Sequence, residues 1–363
     1  MKRIWTRAAA AAALCAVLLS GCSFSSEILS DHSAPADPLT GQALQYPGER
    51  AAAVVIDNAP ASTVQWGIGS ASVVLEAQTE ADAPTSLCLA YPAVSAMPTV
   101  GPVTLGQDLY WRLLSGQQVL PIQRGCDLYT RNFLDYWNLR AVDALETGRN
   151  AFTTGNTDWA SPLWCTNGQS VAKVLGSLSL SSALSEDPAE SADSTQEGDT
   201  PAVPTVPALL PQQTDGHLPD ADVADAVQAA VQFPSGSTTR FAYDTDTGTY
   251  GMLHNDGSPQ LDANTGIQAA FDNLLVLYSA STLRDDGRTL DYDLTMGGGL
   301  WLNGGHLWHI TWTQGTGSTF AFYDADGRPL RILSGRSYIA WLSSLTGEEV
   351  TVQDSAGNDL LQP

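Results

Sequence analysis

Across residues 181–222 the chain contains no Lys or Arg and is built mainly of Ser, Ala, Pro, Thr, Gln, Asp and Glu. No other feature restricts its folding as much. Such a stretch holds too little apolar surface to offset the entropy of ordering it, so it reads as an acidic, low-complexity linker. The hydrophobic period differs on its two sides. Before it, residues 51–57, 71–76 and 86–91 are apolar runs of strand length, while 105–114 and 128–145 carry apolar residues at helical spacing, with Gly116 and Gly148 as stop signals. After it the period is two. Strand candidates flank Asp246-Thr247-Gly248, Asn303-Gly304-Gly305 and Asp324-Ala325-Asp326-Gly327, turn residues that tolerate the positive φ of tight hairpins. The expected class is α+β. An N-terminal α/β layer domain is placed at 46–180, the linker at 181–222, a mainly antiparallel β domain at 223–350 and a tail at 351–363.

The N-terminus sets the address. Lys2, Arg3 and Arg7 precede an apolar run from Ala8 to Leu19, too short to span a bilayer, and Leu19-Ser20-Gly21-Cys22 follows. These residues match a bacterial lipoprotein signal, cleaved after residue 21, with Cys22 carrying the lipid. The alternative is an ordinary secretory signal that happens to end in Cys. Acyl chains contribute about 0.8 kcal/mol per buried CH₂, so two or more give a stable anchor. The expected location is the extracytoplasmic face of the cell membrane, with residues 22–45 as a polar tether.

Removing Lys2, Arg3 and Arg7 from 16 basic residues leaves 13 against 39 acidic ones, a formal charge of −26. A surface of that sign repels nucleic acid and anionic headgroups, so the membrane partner is reached through lipid and no nucleic-acid partner is expected. Beyond Cys15 and Cys22, three cysteines remain: Cys88, Cys126 and Cys165. Any one of three disulfide pairings, or three buried thiols, is compatible with their spacing.

Standard catalytic signatures are absent: there is no GxSxG, HExxH, Walker A loop or GxGxxG following a strand. His306 and His309 would suit a metal only on a helix; on a strand they alternate faces. No metal or cofactor is expected. Gly297-Gly298-Gly299 lacks the helix N-terminus a phosphate loop needs and reads as a bulge or corner. Asp244, Asp246 and Gly248 start like a calcium loop, but Asn255 stands where the bidentate Glu belongs. Asp57 and Glu76 each close an apolar strand candidate and would form an acid/base pair if the strands were neighbours. The competing reading gives Asp57 an Asx turn before Pro60 and Glu76 a solvent or arginine contact. Tyr110, Trp111, Phe133, Tyr136, Trp137, Trp159 and Trp164 are core residues by the general tendency of aromatics, or a glycan-stacking platform if exposed.

Several patches taken in order resemble the YerB-like lipoprotein family. They are Asp37-Pro-Leu-Thr-Gly41, Val54-Val-Ile-Asp-Asn58 with Pro60, Val73-Val-Leu-Glu76 and Gly101-Pro-Val103, then Tyr243-Asp244, Tyr250, Asp262, Asp272-Asn273, Gly297-Gly-Gly299, Trp312 and Gly335. The resemblance implies a two-part lipoprotein with an N-terminal domain of unassigned function and a smaller C-terminal one, and it supplies no enzymatic role to carry over. Thr104-Leu-Gly-Gln107 stands where the family carries an Arg-containing run, Ala83-Pro-Thr-Ser86 replaces a Gly- and Arg-containing patch, and the region of Arg149-Asn150-Ala151 lacks a Pro-His-Asn patch. A polar cleft would retain Asp57, Asn58, Glu76, Gly101 and Pro102 without those cationic and His groups. The favoured function is a non-catalytic binding or regulatory module of the cell envelope, partnered by a cell-wall enzyme or another envelope protein. The alternatives are a cell-wall hydrolase or lyase using Glu76 and Asp57, and a solute-binding lipoprotein.

Overall fold

The apolar, β-branched run of strand Ala52–Asp57 has the character of a strand buried on both faces, and it joins a 12-stranded mixed sheet. The architecture was obtained as a computed structural model, which describes residues 35–60, 62, 64–154, 163–185, 204–214, 218–315, 318–345 and 349–361. The export signal, Cys22, the first part of the tether and Trp159 lie outside these residues. From one edge, the sheet runs Pro329–Leu330, Phe320–Tyr323, His306–Gln314, Met296–Asn303, Asn273–Ser279, Ser337–Ser343, Val73–Ala77, Ser86–Tyr91, Ala52–Asp57, Leu120–Gln123 and Val142–Asp143. Val223–Ala224 pairs with His306–Gln314 outside that path.

The two halves of the sequence meet inside this sheet. Val73–Ala77 pairs antiparallel with Ser86–Tyr91 and parallel with Ser337–Ser343, so Glu76 stands between Leu87 and Ala340. All three strands are buried throughout. The class is α+β. Residues 36–363 nevertheless form one compact unit, because the strand at 337–343 completes the sheet begun by the N-terminal half.

One face of the sheet packs against a second, five-stranded antiparallel sheet: Ala270–Phe271, Thr249–Leu253, Thr238–Asp244, Gln228–Gln232 and Glu349–Gln353. Phe241 and Phe271 of this sheet close on Tyr338, with ring centroids 4.6 and 5.9 Å away. On the same face, helix Gly168–Leu175, capped by Asn167, contributes Val171, Val174 and Leu175. The opposite face carries helix Asp108–Leu113 and a tryptophan cluster in which Trp312 and Trp341 lie 5.0 Å apart. Tyr110 and Trp111 are therefore core residues.

Several sequence expectations change. The helix at 128–145 is only Leu128–Tyr136: Trp137 caps it and Asn138 turns left-handed at φ 50°. Gly297-Gly298-Gly299 lies within a strand. A Cβ at Gly297 would sit 1.8 Å from the Tyr278 carbonyl oxygen, so close backbone approach, not a corner, requires glycine. Of the alternatives left open for the three remaining cysteines, the structure has free thiols, with Cys88 and Cys165 buried and Cys126 partly exposed. Residues 351–363 are not simply a tail, since Glu349–Gln353 pairs with Gln228–Gln232 and Leu360 N–H donates to the Val352 carbonyl. The tether ends early as well: Asp37 Oδ1 accepts from the Leu39 and Thr40 amides, and Leu39 is buried.

Residues 186–203 and 215–217 of the acidic segment lie outside the described residues, but the linker reading is corrected for its stretch 204–214. Within it, Leu209 N–H donates to the Pro38 carbonyl, the Leu209 carbonyl accepts from Phe320 N–H, and Gln212–Gln213 pairs with Ile332–Leu333. Leu210 is 0 % exposed. Average composition concealed a two-leucine anchor that buries enough apolar surface to be held. Replacing Leu210 by Ala should therefore lower unfolding free energy by about 2–4 kcal/mol, measured by urea denaturation. A true linker residue would change it by less than about 0.5 kcal/mol.

Candidate functional site

Strand alternation turns Glu76 toward the same face as Val74 and Tyr338, directly beneath the five-stranded sheet. Its carboxylate is 0 % exposed. Oε1 accepts from Asn58 Nδ2 at 2.9 Å and Thr85 Oγ1 at 2.7 Å, and Oε2 accepts from Thr239 Oγ1 at 2.8 Å and Tyr338 OH at 2.7 Å. Asn58 follows Ala52–Asp57, Thr85 precedes Ser86–Tyr91, Thr239 belongs to the five-stranded sheet and Tyr338 to the strand at 337–343. One carboxylate thus ties the N-terminal half to both sheets of the C-terminal half. None of these four donors is charged. Burial holds the Glu76 carboxyl above the ordinary carboxylate range, and the four hydrogen bonds oppose that shift without cancelling it. Tyr338 is pushed up in turn by burial and by the adjacent Glu76 charge.

Asp57 does not join Glu76. Ser86–Tyr91 lies between their strands, placing the strand axes about 9–10 Å apart. Strand alternation also sends them to opposite faces, because Ile56 shares the core of Val74, and Val55 that of Leu75. Asp57 Oδ1 accepts from Ala59 N–H in an Asx turn, and Oδ2 accepts from Ser62 Oγ. An acid/base pair from these two carboxylates is therefore excluded by geometry. Gly101 and Pro102 lie elsewhere too. The Pro102 carbonyl accepts from Asp57 N–H at 2.8 Å, Gly101 O accepts from Trp66 N–H at 2.8 Å, and a Cβ at Gly101 would meet Cys165 Sγ at 2.7 Å. They hold their loop against the end of strand Ala52–Asp57 and are not among the residues lining a pocket with Glu76.

Asn58 and Thr239 do have a second role. Their other surfaces form part of the wall of a pocket of about 430 Å³ at the seam of the two halves, with Pro60, Met252, His254 and Gln260. Gln260 is 3 % exposed, and its Nε2 has no hydrogen-bond partner in the structure. A buried amide donor without an acceptor is a costly arrangement that a bound carbonyl or hydroxyl oxygen would relieve. At the mouth, Ser258 hydrogen bonds hold the exposed Asp256 carboxyl below its ordinary range. Glu76 does not line this pocket; it is the pin behind its wall.

The same seam is clamped at its other end. Asp262 accepts from the Gly67 and Gly69 amides at 3.1 and 2.8 Å, and Arg336 donates to the carbonyls of Ile68, Ala71 and Ala270. Thr239, Gln260 and Tyr338 were missed by sequence reasoning: each sits in an ordinary strand pattern, and only long-range pairing reveals its role. Among the described residues, no three His, Cys, Asp or Glu side chains gather as a metal centre requires. His309 Nδ1 instead lies 3.1 Å from Asp222 Oδ2, and His306 Nδ1 lies 2.9 Å from the Gly304 carbonyl.

Residues 39–180 match the family model "Protein of unknown function (DUF3048) N-terminal domain", and residues 229–339 match its C-terminal domain. The chain is 25% identical over 321 residues to "Putative lipoprotein YerB" of Bacillus subtilis (strain 168), covering 86% of this chain and 88% of that protein. The crystal structure of the Bacillus subtilis YerB protein shares the fold, with a TM-score of 0.71 at 19% identity, covering 87% of this chain and 99% of that one. The patches Asp262, Asp272 and Gly335 that carried the resemblance all fall at the seam: Asp272 Oδ2 accepts from Arg336 N–H, and a Cβ on Gly335 would strike that carboxylate at 2.5 Å.

Proposed function

This chain belongs to the DUF3048 family, and from that premise we propose that it is a lipid-anchored, extracytoplasmic binding module that uses the seam pocket for recognition and performs no chemistry. The lipoprotein name of its relative and the Leu19-Ser20-Gly21-Cys22 sequence support the anchor. The observation carrying the binding role is the unpartnered Gln260 Nε2 in a pocket walled by both halves of the chain. An incoming carbonyl or hydroxyl would satisfy it, and the mixed lining of Pro60, Met252 and neutral polar groups suits a peptide-like segment of another envelope protein. The hydrolase or lyase reading loses support because Asp57 is held in a turn and Glu76 is enclosed by four donors. Solute delivery by two hinged lobes finds no support in a body whose halves share one sheet. Strand addition at either edge of the large sheet is equally disfavoured, since its terminal strands are two residues long.

A photoreactive residue at exposed Asn255, beside the pocket mouth, provides the test. In cells with Cys22 intact, it should crosslink to one envelope protein, with the adduct reduced at least fivefold by Gln260→Leu. The same probe at exposed Asn138 should give no such adduct. Equal labelling from both positions, or none from Asn255, would contradict the reading.

A further inference from the structure

The four groups around Glu76 respond differently when its carboxyl takes up a proton. Asn58 Nδ2 only donates, and its two protons are spent on Glu76 Oε1 and on Thr85 Oγ1, each at 2.9 Å. Its Oδ1 accepts from Gln65 Nε2 at 3.0 Å, which fixes the direction of the amide. Thr85 Oγ1 already accepts from Asn58, so the Oε1 side is committed to receiving protons. The Oε2 side is met by two hydroxyls, Thr239 and Tyr338, and a hydroxyl either donates or accepts. Tyr338 is enclosed between the sheets and does not line the seam pocket, whereas Thr239 does.

A proton taken from solvent and held on Oε2 therefore has one economical arrangement. Tyr338 goes on donating to Oε2, Oε2 donates to Thr239 Oγ1, and the Thr239 hydroxyl proton turns into the pocket. Any other arrangement leaves a buried donor facing a donor. With Glu76 ionised, Thr239 shows the pocket only oxygen lone pairs; with Glu76 protonated, it shows a proton. We propose that protonation of Glu76 switches Thr239 from acceptor to donor in the pocket wall, so that the seam pocket holds a carbonyl-bearing segment more tightly at acid than at neutral pH. The switch presupposes the seam reading, in which this pocket receives a partner's segment. Reciprocally, a bound carbonyl strengthens the hold of Glu76 on its proton.

Burial, by holding the Glu76 carboxyl above the ordinary carboxylate range, brings this proton uptake closer to neutral pH. The groups around it do not compete. Tyr338 and Tyr110, which feel the Glu76 charge, are pushed well above the ordinary phenol range by burial. Cys88, on the adjoining strand, is likewise raised by burial and shares the opposite core with Leu75. From the five-stranded sheet, Thr239 brings no charge. Asp256 and His254 line the pocket itself, and a His side chain changes charge over the same range, so its contribution has to be separated.

The test uses the photoreactive residue at Asn255 in the full chain with Cys22 intact. Adduct yield is followed across a dilution series of detergent-solubilised membranes at about pH 7 and about pH 5, either side of a raised carboxyl. Apparent affinity should rise about fivefold on acidification, the worth of one net hydrogen bond. Thr239→Val and Glu76→Gln should each remove this rise, and Thr239→Ser, which restores the hydroxyl, should keep it. His254→Gln, whatever it does to affinity, should retain the difference between the two pH values. A urea midpoint for each variant establishes that it is folded. Equal or lower affinity at acid pH, a rise undiminished in Thr239→Val and Glu76→Gln, or a rise abolished by His254→Gln overturns the switch and leaves the seam reading standing. No adduct at either pH overturns the seam reading and the switch with it.

Discussion

Expressed alone, residues 36–185 should fail to show a cooperative unfolding transition. The strand Val73–Ala77 is buried on both faces and takes one of its two hydrogen-bonded neighbours from Ser337–Ser343. Without that neighbour, a central strand becomes an exposed apolar edge, the arrangement most prone to aggregation. The fragment also loses the Asp262 carboxylate from the Gly67 and Gly69 amides and the Arg336 guanidinium from the Ile68 and Ala71 carbonyls. Marginal stabilities of about 5–15 kcal/mol do not survive such a loss. Circular dichroism should show a broad, non-cooperative melt, and mixing with a fragment covering 204–361 should restore a single transition. A fragment that melts sharply by itself would show that the shared sheet is not required.

The second large effect concerns Glu76. Glu76→Ala should reduce unfolding free energy by about 3–5 kcal/mol, since it leaves the Thr85, Thr239, Tyr338 and Asn58 donors buried around a cavity. Glu76→Gln should be milder, by about 1–2 kcal/mol, because the Thr239 and Tyr338 hydroxyls can rotate to accept from an amide. The two variants also separate the effect of charge. The folded-state carboxyl of Glu76 is raised by burial, so the folded chain binds a proton that the unfolded chain, titrating near an ordinary 4.3, has already released. Stability from this group is therefore fully present below that ordinary value and is lost as pH rises through the raised one. On acidification from neutral pH toward about 5, wild type should gain stability relative to Glu76→Gln, as read from urea midpoints across that range. An identical pH profile for the two proteins would show that Glu76 carries no raised titration.

The hairpins and the N-terminal strands were legible because their signals are local. Asn303-Gly304-Gly305 places positive φ, 57° and 79°, at its two glycines, and alternating residues on either side need no distant partner to be recognised as strands. The seam was not legible, because its contacts span the chain: Thr239 and Tyr338 reach Glu76 across 163 and 262 residues. Glu76 drew notice as a carboxylate beside an apolar run, yet periodicity could not reveal that Ser86–Tyr91 separates it from Asp57. The aromatic set divided along similar lines, with Tyr110 and Trp111 buried under the sheet while Tyr136 and Trp137 follow the helix into solvent. Leu209 and Leu210 vanished into the average of an acidic segment, although their two side chains are buried and dock the stretch around them.

That the seam carboxylate pins the fold and does no chemistry is tested most directly by one paired measurement. Wild type and Glu76→Gln, both in membranes, are incubated with purified cell-wall polymer while released fragments are quantified, and the urea midpoint of each protein is recorded. The expected result is no release by either protein and a lower midpoint for the variant. Release by wild type that disappears in Glu76→Gln at an unchanged midpoint would contradict it and make Glu76 a catalyst.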